Sequence, residues 1–136
     1  MKNRIVWSAG LTTGNRAIDL QHAELIELIN ALARLIETRY TIVEIMSALQ
    51  QLERYVLFHF NTEENLMANS RISPLHVLRH VDAHQDFSKQ IETFKLDQNL
   101  HSKLPDIVAY LVEWLSNHIM QTDQELVALC RKNMES

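Results

Sequence analysis

The chain holds only two glycines and two prolines in 136 residues, where average usage would give roughly nine and seven. Both glycines, Gly10 and Gly14, sit near the N-terminus. The residues that break helices and shape tight turns are almost missing from the rest, so the chain is expected to be nearly all helix. Apolar residues make up 46% of it, enough for a real core. One all-α domain over residues 1–136 is the expectation.

Apolar spacing divides the chain into four helices. The first runs from about residue 18 to 38, with a seam of Ile18, His22, Leu25, Ile29, Leu32 and Ile36. The second opens at Thr41, where Glu44 completes a capping-box pattern. Its seam is Ile42, Ile45, Leu49, Leu52, Val56, His59, Glu63 and Leu66. Residues 69–73 read as a loop, and Pro74 suits the first turn of a third helix capped by Ser73. Val77, His80, His84, Phe87, Ile91 and Phe94 form that seam. Residues 97–103 read as polar and turn-like. A fourth helix is expected to start near Leu104 or Pro105 and reach about Arg131, with Val108, Leu111, Leu115 and His118 facing inward. Steps of three and four place each seam on one side of its helix. Short connections favour antiparallel neighbours, hence an up-down-up-down four-helix bundle over residues 18–131 behind an N-terminal arm of residues 1–17.

Several function classes fall away. Thirteen basic against seventeen acidic residues give a formal charge of −4, which argues against a nucleic-acid groove. The longest apolar run, residues 107–112, is far short of the ~20 residues of a membrane span, and no signal peptide is read at the N-terminus. Cys130 is the single cysteine, so an intrachain disulfide and a thiolate zinc cage are excluded. A reducing, cytoplasmic setting is expected.

Five histidines and one glutamate occupy seam positions where leucine would be expected. Buried polar groups need partners, and each histidine alone could be satisfied locally. Topology argues otherwise. His22 lies near the start of helix one, His59 and Glu63 near the end of helix two, His80 and His84 near the start of helix three, and His118 late in helix four. In an up-down-up-down bundle these places share one end. His59 and Glu63 are four apart and project from one face, as do His80 and His84. Imidazole with carboxylate suits iron, zinc, manganese or copper. Five imidazoles are too many for one ion with an open position, whereas two carboxylate-bridged ions would use them all. Asp123 is the candidate for the second bridging carboxylate. Five residues after His118, it would lie ~140° around a regular helix, and a local π-bulge would bring the two together.

At this point the chain resembles a known family, the bacterial hemerythrins. The matching segments are I-D-L-Q-H (18–22), H-F-N-T-E-E-N-L-M (59–67), H-V-D-A-H-Q-D-F (80–87) and W-L-S-N-H-I-M-Q-T-D (114–123). Trp7 and Gly14 look like the family's N-terminal arm, and the resemblance covers nearly the whole chain. It implies a four-helix bundle with two non-haem iron ions joined by an oxo or hydroxo bridge, and reversible O2 binding without catalysis, as carrier, store or sensor. His80, His84 and His118 would hold one iron and His22 and His59 the other, which keeps an open position. Glu63 and Asp123 would bridge both. Leu25, Phe60, Trp114, Leu115 and Ile119 would surround the O2 pocket. The chain closes at Ser136 with no signalling output domain in view, and whether the natural protein continues or pairs as an oligomer is left open.

The loop before helix three looks about two residues longer than in the family and lacks its usual tyrosine. His76 and His80 are also four apart, so a shifted ligand pair has to be weighed. His76 falls off the seam, and Phe87 fits only the later pair. His76 and His101 are therefore expected on the surface, the latter in the loop before helix four. Three rivals fare worse. A ferritin-like oxidase or iron store would carry Glu-x-x-His pairs, a zinc hydrolase His-Glu-x-x-His, and neither pattern occurs. A phosphotransfer bundle using His76 leaves five seam histidines unexplained.

Overall fold

Asn15 sets the start of the first helix, its side-chain oxygen accepting the Ile18 N–H at 3.1 Å. The computed structural model describes residues 11–38 and 40–135, so most of the N-terminal arm, with Trp7, lies outside the described residues. Helices α1 (Arg16–Leu35), α2 (Ile42–Ala68), α3 (Pro74–Leu96) and α4 (Leu100–Asn117) follow in order. A π-helical turn, His118–Asp123, then leads into α5 (Gln124–Glu135). The last three form one continuous fourth rod. There is no strand among the described residues, and no helix is long and apolar enough to cross a membrane.

Helix α1 packs on α2, α2 on α3, α3 on α4, and α4 back on α1. This is the expected four-helix arrangement. Leu25, Ile29, Leu32, Ile45, Leu49, Phe87, Ile91, Leu104 and Leu111 are all buried in one core, so the apolar stripes meet as alternating steps of three and four require. The capping box at Thr41 and Glu44 is complete in both directions. Ser73 precedes Pro74 as expected but makes no side-chain cap bond. Ile42, placed on the seam, is exposed, whereas Ile45 is fully buried.

The fourth helix begins at Leu100, before the proline rather than at it. Lys103 Nζ meets Asp97 Oδ2 at 2.8 Å, and Asp97 Oδ1 accepts the Asn99 N–H at 2.7 Å, which steadies the added turn. Pro105 has no N–H to give the carbonyl four residues back. That carbonyl, on His101, accepts from Tyr40 Oη at 3.4 Å instead. His101 is exposed as expected, but in the first turn of α4 and not in a loop.

Residues 11–15 strap the end of the bundle at which α1 begins. Asp19 accepts the Thr13 N–H, the Thr13 hydroxyl and the Gly14 N–H at 2.8, 2.7 and 3.2 Å. Gln124 Nε2 donates to the Thr12 carbonyl at 3.0 Å. Gly14 turns the strap at φ 93°, a backbone region that a side chain disfavours.

Candidate metal centre

Heptad-like periodicity carries His22, His59, Glu63, His80, His84 and His118 inward at the same bundle end, and all six are buried. Asp123 joins them, fully buried, through the π-helical turn. One i→i+5 turn absorbs the extra residue between His118 and Asp123 and returns both to the same face.

Two groups of candidate metal-ligating atoms result, each drawn together within 4.8 Å: Glu63, His80, His84 and His118; and His22, His59, Glu63 and Asp123. Glu63 belongs to both. Its Oε1 lies 3.2 Å from His59 Nε2, 3.5 Å from His80 Nε2 and 3.2 Å from His84 Nε2. Asp123 divides its oxygens between the two groups. Oδ2 stands 2.7 Å from His22 Nε2 and 3.6 Å from His59 Nε2, while Oδ1 stands 3.1 Å from His80 Nε2 and 2.9 Å from His118 Nε2.

These side chains satisfy one another only in part as hydrogen-bonding partners. His80 Nε2, Asp123 Oδ1, Glu63 Oε2 and His22 Nδ1 are buried without a hydrogen bond. The first two are only 3.1 Å apart, so the ring N–H direction misses the oxygen. Pairs of Nε2 atoms approach to 3.1 Å between His22 and His59 and 3.3 Å between His84 and His118. Nitrogens this close can share at most one proton. Cations lying between them would satisfy every one of these atoms except His22 Nδ1, which faces away from the centre, and imidazole with carboxylate oxygen is a borderline donor set that suits iron, zinc, manganese or copper. The residues therefore fit two metal ions.

Protonation reflects the same crowding. Burial pushes the His59 imidazole down, but the hydrogen bonds it donates to Asp123 and Glu63 outweigh it and lift its pKa to about 9. His118, pressed the same way by burial, is lifted to about 9 chiefly by the charge of Asp123. His84 remains below its ordinary value because burial prevails there. Burial and the neighbouring Asp123 both push Glu63 up, yet the His118 and His59 hydrogen bonds hold it below the usual carboxylate range. Asp123 is held well below it against burial, first by the charge of His118.

Aromatic rings brace the imidazoles. Phe60 stacks on His84 with centroids 3.7 Å apart, and Trp114 on His118 at 4.4 Å. Leu25, Phe60, Leu115 and Ile119 are buried in the core, and Trp114 is half-buried against it.

An outer layer of partners was not read from the sequence. His59 Nδ1 meets Gln21 Oε1 at 2.8 Å, and His84 Nδ1 meets Glu64 Oε2 at 2.9 Å. His80 Nδ1 lies 3.1 Å from Nε2 of His76. His76 is thus not a surface residue: it is 7% exposed, and its Nδ1 contacts Glu125 Oε1 at 3.0 Å. The reason is angular. A residue four before His80 lies only about 40° from it around the helix, whereas Val77, three before, lies about 60° away. The spacing of four was the available signal. His76 still stands outside both ligand groups, so the pair facing the centre is His80 and His84.

The chain matches the model of the hemerythrin HHE cation-binding domain over residues 13–130. It is similar to the bacteriohemerythrin of Clostridium acetobutylicum, 27% identical over 128 residues, covering 90% of this chain and 98% of that protein. It is also similar to the bacteriohemerythrin of Pseudomonas aeruginosa, 29% identical over 133 residues, 96% of this chain and 84% of that one. A hemerythrin-like protein of Naegleria gruberi is 28% identical over 119 residues, 88% and 87% of the two chains. With a family model spanning nearly all of the bundle and paired histidine–carboxylate groups at one end of it, the chain belongs to the hemerythrin HHE cation-binding family.

Proposed function

We propose that this chain, as a single hemerythrin-like domain, binds O2 reversibly at a di-iron centre held by His22, His59, Glu63, His80, His84, His118 and Asp123. The observation that carries the reading is the unequal pair of buried groups sharing Glu63: three histidines in one, two in the other. An ion on the side with fewer imidazoles would keep a coordination position for an exogenous ligand. A diferrous pair, when bound, supplies the two electrons that O2 takes up and returns. Its relatives' names, bacteriohemerythrin, support the same reading.

The chain's own residues then explain why binding stays reversible. Glu63 and Asp123 are anionic and hold the two positions together, while Phe60 and Trp114 keep the His84 and His118 rings from turning. Leu25, Phe60, Leu115 and Ile119 offer no acid, and the Trp114 indole is no proton source at neutral pH. Nothing among them can deliver a proton that would expel reduced oxygen. The protein binds its ligand and does not turn it over.

The test is to load the protein with iron, reduce it anaerobically, admit O2 and follow the visible absorption. A band that grows on oxygenation and fades when O2 is removed, with the ferrous state recovered, supports the reading. Stoichiometric hydrogen peroxide release, or no band, overturns it in favour of an oxidase or an iron-handling role.

A further inference from the structure

The outer hydrogen bonds of the metal-facing histidines run in chains, and the chains end differently. A nitrogen that holds a metal must present a lone pair, so a neutral His80 with Nε2 at the centre carries its proton on Nδ1. That proton points to His76 Nε2 at 3.1 Å, which must accept it. The proton of His76 is then on Nδ1, where it meets Glu125 Oε1 at 3.0 Å. One proton arrangement satisfies every atom, and it runs from the centre outward to a carboxylate. Glu125 lies on α5, two residues past Asp123, so the chain also ties α3 to the helix that carries Asp123.

On the other side, His59 Nδ1 donates to Gln21 Oε1 at 2.8 Å, and Gln21 Nε2 donates to Thr62 Oγ1 at 3.0 Å. The Thr62 hydroxyl ends on the Phe58 carbonyl at 3.2 Å. This relay has the same form but no charge at its end. His22 Nδ1 has no hydrogen-bond partner. His84 is backed directly by the Glu64 carboxylate. Two of three imidazoles in one group are thus carboxylate-backed, and neither imidazole in the other is. A carboxylate behind an imidazole fixes its tautomer and strengthens it as a donor.

We propose that His76 is a positioning residue for the metal centre: it holds His80 with its inner nitrogen unprotonated and couples it to Glu125, so that the position formed by His80, His84 and His118 retains its ion longer than that of His22 and His59. This rests on the two-metal reading above. His76 is not a ligand. Its effect passes entirely through His80.

The test challenges the iron-loaded protein with a chelator and follows iron per chain over time. The parent should lose one iron quickly and the other slowly. His76→Phe should speed the slow loss about 10–100-fold, the usual range for removing such a partner, and leave the fast one unchanged. His76→Gln, whose amide can accept from His80 and donate to Glu125 as Gln21 does for His59 and Thr62, should restore most of the retention. Glu125→Gln should accelerate the slow loss in the same direction, and its exposed position keeps that arm readable if His76→Phe folds poorly. Unchanged slow loss in Glu125→Gln or His76→Phe overturns the proposal. Equal acceleration in His76→Phe and His76→Gln overturns it too, because that pattern reports packing alone. Repeating the assay with zinc in place of iron separates this inference from O2 binding. A protein that retains metal as described but shows no reversible O2 band refutes the proposed function and leaves the role of His76 intact.

Discussion

Nε2 of His118 stands 2.9 Å from Oδ1 of Asp123, five residues further along the same rod. The π-helical turn His118–Asp123 makes this contact, since an α-helix would set the two about 140° apart. The same turn leaves Asp123 Oδ2 free to face His22 across the bundle at 2.7 Å. A single irregular turn therefore places one carboxylate between two sets of imidazoles.

Asp123→Ala should lower bound metal from two ions per chain to one or none, because both histidine groups lose the oxygen that faces them. Elemental analysis of protein expressed with ample iron decides this. Two ions retained in the variant would remove Asp123 from the centre. In the parent, a single zinc with no iron would sink the di-iron reading itself.

Stripping the metal should expose a pH dependence that the loaded protein lacks. His59 and His118, raised to about 9, are favoured in protonated form by the fold. Their contribution to stability is fully present below the ordinary histidine value of about 6.5 and is lost as pH rises through about 9. The thermal midpoint of the stripped protein should fall over that window. Glu63 and Asp123 are depressed, so their contribution is present above the ordinary carboxylate range and is lost as pH falls. Rebinding metal at pH 7 should release at least about two protons, since ligation needs unprotonated imidazoles and His80 is raised as well. Titration calorimetry in buffers of different ionisation heat measures that number, and zero protons released would contradict the assignment of His59 and His118.

Leu115→Ala should speed autoxidation of the oxygenated protein while iron content stays unchanged. Leu115 is buried and belongs to the proposed O2 pocket, and truncation there makes room for water at a cost of about 2–5 kcal/mol in stability. Leu104→Ala, equally buried on the same helix but toward the opposite end of the bundle, should destabilise similarly and leave autoxidation alone. If both variants autoxidise alike, general loosening and not the pocket wall controls the rate.

Gly14→Ala should destabilise the fold by about 1–2 kcal/mol, the penalty for a Cβ in left-handed backbone. The new methyl would also run into the Arg131 guanidinium, which has to swing aside. Denaturant unfolding with and without the change reads the difference. No shift in midpoint would mean that the strap over residues 11–15 contributes little to the folded state.

Much of the protein follows from local spacing. Period alone placed Ile18, Leu25, Leu49, Phe87 and Leu111 in the core, and the same period put His22, His59, Glu63, His80, His84 and His118 on inward faces at one end. This works because a helix repeats every 3.6 residues whatever surrounds it, and short connections leave few ways to assemble four such rods. Asp123 was legible only through a required break in that period. Proline misled at the fourth helix, where contacts from Asp97 and Tyr40 support a turn ahead of Pro105. Only the tertiary structure decided the outer partners: Gln21 behind His59, Glu64 behind His84, and His76 with Glu125 behind His80. Apart from His76 and His80, four apart on α3, those contacts join different helices, up to 49 residues apart in the case of His76 and Glu125. Periodicity states which face a residue occupies, but not which side chain on a neighbouring helix lies within hydrogen-bond reach of it.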